Sequence, residues 1–299
     1  MPKIHKTAKN HFRFLQDIYI HHYKRLFLII VFLFIFAVSM IIITYQKTGD
    51  FTLRDVSLKG GISVTINKDY DLEEYLQTRF PKSSIALRTI QSSGVVSGII
   101  IEASDVNEEE LLDAIQEKTG VLSKADYSIE TMGSTLGQSF FKEMFISLTL
   151  AFICMGIVFH LYFRNIYGTV AALLSAFLDI FITLGIMNMI GIRLTAGGIA
   201  AYLMLIGYSV DTSILLSTKL LKEKKEDVNR ALFGAMKTGL TMSAAGMAAT
   251  GISYLLTNNI VLRQIMLILI VGLVIDVLTT WIGNVTLLRL YLERKHVKV

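Results

Sequence analysis

The sequence predicts an α-helical polytopic membrane protein, with six transmembrane helices and one extracytoplasmic α+β domain between helices 1 and 2. Three observations predict it. The 299-residue chain is 53% hydrophobic and has a mean hydropathy of +0.56, above ordinary soluble domains. Apolar runs long enough to cross a hydrocarbon core of about 30 Å recur along it. The polar stretch 47–138, between the first two runs, alternates with strand and amphipathic-helix periods instead.

Residues 1–25 form a basic leader with Lys3, Lys6, Lys9, Arg13, Lys24 and Arg25. Its histidines, His5, His11, His21 and His22, read as a solvated or headgroup-facing segment rather than a metal site. The first span is 26–46. Its run Leu26–Ile43 carries no charge, and no A-x-A-like cleavage site follows closely, so it reads as a retained helix and not a signal peptide.

Within 47–138, "GGISVTIN" (60–67) alternates Ile62, Val64 and Ile66 with polar residues, as a half-buried strand does. "YDLEEYLQTRF" (70–80) sets Leu72, Tyr75, Leu76 and Phe80 on one helical face. Two strands over 83–90 and 94–104 are joined by a turn at 92–94. The segment 106–120 is an amphipathic helix with an acidic first turn and Gly120 to close it, and 126–133 is a last strand. The order β-α-β-β-α-β is that of a ferredoxin-like sandwich.

A five-helix bundle over 139–290 then follows, with spans at about 144–163, 166–190, 194–218, 238–257 and 265–288. Residues 291–299 are a tail. Lys and Arg concentrate in the leader, at Arg164, over 219–237 and after 289, while the opposite short loops hold only Arg193 and Arg263. That bias places both termini in the cytoplasm and 47–138 outside the cytoplasmic membrane. The run "KLLKEKKEDVNR" (219–230) reads as a cytoplasmic amphipathic helix on anionic headgroups of the lipid bilayer, or as a docking segment.

Three acids fall inside spans: Asp179, Asp211 and Asp276. A carboxylate at the bilayer midplane costs about 2.5–3.5 kcal/mol on insertion scales, and such residues mark ion or proton paths or hydrogen-bond across helices. Ala200, Met204, Gly207 and Asp211 recur at helical intervals, which predicts that Asp211 faces the bundle interior. Asp276 shares its side with Gly272, Thr279, Thr280 and Gly283, and Asp179 with Ser175, Ala176 and Thr183. The fifth span is so rich in small residues that it is expected in the middle of the bundle, with Thr241 and Ser243 as polar partners for the acids. No nucleotide-binding loop, nucleophile motif or metal-ligand spacing is found, so no enzyme, cofactor, metal or nucleic-acid partner is expected. An intramembrane aspartyl protease fails because no GxGD is present. The lone Cys154 lies in an apolar run and reads as a small buried side chain.

Several pieces resemble one family: "FRN" (163–165), "LDIFITLGI" (178–186), "IGYSVDTSILL" (206–216), "VNRALFGAMKTGLTM" (228–242) and the outer "SLKGGISVTI" (57–66). They resemble the SecD/SecF protein-export family of the resistance–nodulation–division superfamily, in its archaeal SecF-type pattern. The resemblance implies an auxiliary subunit of the Sec translocase. Such a subunit pairs with SecD and assists export of unfolded polypeptide through the SecY translocation channel, driven by the proton gradient. It marks Gly60, Gly61, Arg164, Gly207, Tyr208 and Ser209 as family-motif positions. It also supports Asp211, Asp179 and Thr212 as proton-relay candidates, since the bacterial Asn-Asp pair falls on Asp211 and Thr212 and Asp179 matches the family's span-three acid; Asp276 is a fourth candidate by its place inside a span alone. The sequence departs from the family pattern at Ser57, where an Asp is usual. It departs again at Gly234, where bacterial members carry an Arg, with Lys237 one turn on. Two other functions stay open: a structural scaffold for SecD and the translocon without ion transport, and a half-sized lipid or amphiphile exporter of the same superfamily.

Overall fold

The protein is described from a computed structural model covering residues 2–81, 83–92, 95–104, 106–123, 126–222, 228–257 and 259–294. The centre of the expected turn at 92–94, Lys224 and Lys225 of the basic run and the last five residues of the tail lie outside these. So do the side chains of His5, His11 and His21. The chain forms two compact units. One comprises Leu53–Ile146 and Arg193–Ala196; the other comprises Met1–Thr52, Ser147–Ile192 and Gly197–Val299.

In the first unit a short helix α2 (Val56–Lys59) leads into β1 (Gly61–Ile66). Then come α3 (Glu73–Arg79), β2 (Ser84–Ser92), β3 (Val95–Ser104), α4 (Glu108–Thr119) and β4 (Tyr127–Met132). The four strands form one antiparallel sheet in the order β2-β3-β1-β4. Because side chains alternate across a strand, Ile62, Val64 and Ile66 share one face of β1, and Ile99, Ile101 and Ala103 share one face of β3. That face packs on Leu72, Leu76, Leu111, Ala114 and Ile115 of the helical segments to make the core. The acidic first turn of α4, Glu108–Glu110, sits at the positive end of the helix dipole, and Gly120 ends the helix at φ +79°.

The double glycine has a backbone reason. Gly60 closes α2 at φ +85°, its N–H donating to the Val56 carbonyl at 2.8 Å. Gly61 stands at φ +131°, and a Cβ there would lie 2.5 Å from the Ala103 carbonyl oxygen of β3. Only glycine meets both demands. On the opposite face of β3, Glu102 is buried and paired with Arg193. The segment after Arg193 is held by backbone bonds: Leu194 N–H donates to the Leu53 carbonyl, and Asp55 N–H to the Leu194 carbonyl. Burial pulls the Arg193 guanidinium below its ordinary pKa, against which the nearby Asp55 carboxylate acts.

The second unit is helical. Helix α1 (Pro2–Thr48) is continuous with the leader and kinks at His22. Helices α5 (Ser134–Phe163), α6 (Ile166–Ile190) and α7 (Ala196–Ser217) follow; the first turns of α5 belong to the other unit. α7 passes into a π-helical turn, Thr218–Lys222. Helices α8 (Val228–Leu256) and α9 (Ile260–Leu278) come next. α9 continues through a second π-helical turn, Thr279–Asn284, into α10 (Val285–Arg294). Among the described residues, five helical stretches are long and apolar enough to cross a membrane: His22–Thr48, Ser139–Phe163, Ile166–Ile190, Ala196–Leu221 and Val261–Arg294. The expected span 238–257 lies on α8, which is long enough, but its Gly, Ala, Ser and Thr content dilutes its hydropathy, and it is not among the five.

Local sequence sets the helix ends. Arg164 takes the left-handed conformation (φ +48°) between α5 and α6. Asn165 then caps α6 by accepting from the Tyr167 N–H at 3.0 Å, and Gly191 ends that helix at φ +80°. The centre of the bundle is α6 rather than α8. Ser175, Ala176, Asp179, Ile182, Thr183 and Gly185 are all buried, whereas α8 exposes Ala244, Ala245, Ala248 and Ala249. Small residues therefore serve two ends. At Gly185 a Cβ would fall 2.6 Å from Ala37 Cα, so α1 and α6 meet backbone to backbone. Along α8 they line an exposed face. Cys154 is exposed on α5, not buried.

Candidate functional site

A carboxyl inside a helix bundle must find donors, because nothing else there offsets its lost hydration. Two acids have done so together. Asp179 on α6 and Asp276 on α9 are both fully buried, and their carboxyls adjoin. Thr279 donates to Asp179 Oδ1. Thr280 donates to Asp276 Oδ1 at 3.0 Å, and Thr212 Oγ1 stands 3.2 and 3.3 Å from the two Asp276 oxygens. Ser175 of α6 touches Thr280 at 3.4 Å. Ser209 is buried beside both carboxyls, yet its Oγ makes no hydrogen bond of proper geometry. Asp179 Oδ2 likewise has no donor. Three helices thus converge on one polar centre: α6 and α9 bring the acids, and α7 brings Ser209 and Thr212.

The chemistry follows from the donor set. An ionised carboxyl is acceptor-only, so two carboxyls bond to each other only through a proton. The groups that touch the pair are hydroxyls, which can donate to a carboxylate or accept from a carboxylic acid. The arrangement suits holding and releasing a proton. Among the described residues no third His, Cys, Asp or Glu joins the pair to make a metal-binding group.

The sequence expectations divide here. Asp179, Asp276, Thr212 and Ser209 are brought together. Asp211 is not: it is exposed, as are Ala200, Met204 and Gly207 on its stripe. The expectation of an interior-facing Asp211 is therefore corrected. α7 carries small or polar residues on two faces. The one turned inward holds Ser209, Thr212 and Ser213, whose hydroxyls meet the acid-bearing helix. Thr241 and Ser243 of α8 do not partner the acids. Thr241 is exposed and bonds the Lys237 carbonyl at 2.8 Å, and Ser243 is buried without a partner. Gly207 is exposed with open space around it, Tyr208 is half-buried, and Arg164 is an exposed inter-helix position. Gly60 and Gly61 belong to the first unit, at the start of β1. Sequence reading missed Ser213 and Asn284. Their spacing of four from Ser209 and from Thr280 was the available signal.

A family model described as protein export membrane protein SecD/SecF, C-terminal, matches residues 112–294, the whole of the segment that carries this centre. Protein-export membrane protein SecF of Pyrococcus furiosus is 32% identical over 301 residues, covering 100% of both chains. The chain belongs to the SecD/SecF family of protein-export membrane proteins. A second relative, SecF of Methanocaldococcus jannaschii, is 34% identical over 258 residues, covering 82% of this chain and 89% of its own. Among solved structures, SecDF of Thermus thermophilus, described as a translocon-associated membrane protein, superposes with a TM-score of 0.75 at 17% identity. It covers 92% of this SecD/SecF-family chain, which in turn spans 38% of that longer chain. At that identity the likeness is one of fold. A membrane protein with a helical bundle and a small antiparallel sheet is what the family and the fold share.

Proposed function

We propose that this chain is a SecF-type accessory subunit of the protein-export machinery. In this reading it lies in the cytoplasmic membrane with both termini cytoplasmic, α8 being its sixth span and the outer unit a ferredoxin-like domain. It pairs with SecD beside the SecY channel and assists movement of unfolded polypeptide at the expense of the proton gradient. It does so without enzymatic chemistry of its own. The observation that carries the reading is the adjoining, fully buried pair of Asp179 and Asp276, ringed by hydroxyls. With a proton between them the carboxyls hold α6 to α9. Without it, two like charges in contact drive the helices apart. Asp211 has a different part: it lies on the α7 face that SecD covers.

Gradient-dependent export is the test, with Asp276→Asn and Asp179→Asn. Both variants keep the size of the side chain and one acceptor oxygen and remove the titrating proton. Export falling to the level seen without a gradient, with SecD still co-purifying, supports the reading; wild-type export overturns it. A scaffold role is favoured by one observation: the hydroxyls of Thr212 and Thr279 already tie Asp276 and Asp179 to neighbouring helices. A scaffold tolerates the Asn variants but loses complex yield with Asp276→Leu.

A further inference from the structure

The polar centre does not end at the acids. Ser209, Ser213 and Ser217 follow one another at intervals of four on α7, and Asp276, Thr280 and Asn284 do the same on the facing helix. All six are buried, none more than 1% exposed. The two rows meet at Thr212 with Asp276, and again where Asn284 Nδ2 donates to Ser213 Oγ at 3.1 Å. Past that contact lie buried polar atoms with no protein partner: Asn284 Oδ1, Ser217 Oγ and Thr218 Oγ1. Leu216, Leu220, Val285 and Leu288 around them form an apolar core, so the polarity is confined to this seam.

Each buried, unpaired polar atom costs about 1–3 kcal/mol, a penalty that an apolar side chain of the same shape avoids. Such atoms in a row are the usual ligands of buried water, which needs two to four polar partners. From Thr212 to Thr218 the helix rises about 9 Å, the length of a file of about three hydrogen-bonded waters. We propose that the seam binds a file of water that carries protons between the acid pair and the lysine-bearing end of α7. Ser213, Ser217, Thr218 and Asn284 are its ligands. The proposal rests on the proton reading of Asp179 and Asp276, and it adds the route.

The experiment is cysteine labelling of the full chain in membrane vesicles, in a Cys154→Ser background. Ser213→Cys and Ser217→Cys are compared with Leu216→Cys, which is equally buried but faces the apolar core. The thiolate is the form that attacks a methanethiosulfonate, displacing methanesulfinate, and apolar burial suppresses it, so a charged methanethiosulfonate is expected to label the two seam cysteines about tenfold faster or more. Equal rates at all three positions overturn the file. Export by Asp276→Asn, measured alongside, separates the two ideas. Slow seam labelling with lost export removes the file alone. Fast labelling with wild-type export removes its proton-carrying role together with the reading beneath it. Asn284→Leu, of similar size, is expected to slow both seam labelling and gradient-driven export about fivefold or more at unchanged yield of folded chain, since it takes away the seam's one amide ligand. Unchanged labelling in that variant also overturns the proposal.

Discussion

Asp276 is held by two threonine hydroxyls from different segments, and each can be removed without changing shape. Thr212→Val deletes the donor on α7 and keeps the branched side chain. It is expected to lower stability by about 1 kcal/mol, the usual worth of an inter-helix hydrogen bond in a membrane bundle. Thermal unfolding of the purified chain measures it, with Thr212→Ser expected to recover most of the loss. Thr241→Val is the control: that hydroxyl bonds its own helix on an exposed face, so its loss is expected to stay within about 0.5 kcal/mol. In the sheet-bearing unit, Gly61→Ala places a Cβ against the Ala103 carbonyl at an unfavourable φ. It is expected to cost about 2 kcal/mol or more, read as earlier proteolysis of that unit. These residues differ in legibility. Asp179 and Asp276 stand out in any apolar run, because each charge must be explained. The threonines that serve them do not, since a hydroxyl in a membrane helix bonds its own backbone just as readily.

At the scale of elements, contact faces decide what a sequence reveals. The apolar periodicity of β1 and the helical faces around Leu76 and Leu111 picked out residues that form the core of the sheet-bearing unit, because one side of each element is apolar and the other is not. α7 has no such contrast: lipid-facing and bundle-facing sides are both apolar with small residues, so periodicity left its rotation open and pointed Asp211 the wrong way. The π-helical turns carry no local signature either; only packing shows that Thr279–Asn284 widens just where the acid partners sit. Two element-level changes test the packing. Gly185→Leu drives a side chain into the α1 backbone at Ala37 and is expected to lower the yield of folded chain severalfold, while Gly251→Leu, in open space, is expected to be tolerated. Arg193→Ala removes the guanidinium that pairs with buried Glu102 and is expected to destabilise the sheet-bearing unit by about 1–3 kcal/mol. Hydrogen exchange along β3 reports it, and the exchanged pair Arg193→Glu with Glu102→Arg is expected to recover part of the loss.

For the molecule as a whole, the exposed row Ala200, Met204, Gly207 and Asp211 sets an expectation for assembly. On the pairing with SecD proposed above, Met204→Trp adds bulk to a face that this chain leaves uncovered, so folding is expected to be unaffected while co-purification of SecD falls several-fold. Equal recovery of SecD would place the proposed pairing on another face. The sheet-bearing unit carries a consequence of its own. It is not continuous in the chain: Arg193–Ala196 belong to it, though α5 and α6 intervene after Ile146. A fragment cut as 53–146 would lose the Arg193 partner of buried Glu102, and the Leu53 and Asp55 backbone groups would lose Leu194. The same gap governs birth order. As the ribosome delivers the chain, β1 to β4 emerge early, but the unit stays one piece short until two further helices have been made. Its completion is thereby timed to the insertion of the α6–α7 hairpin.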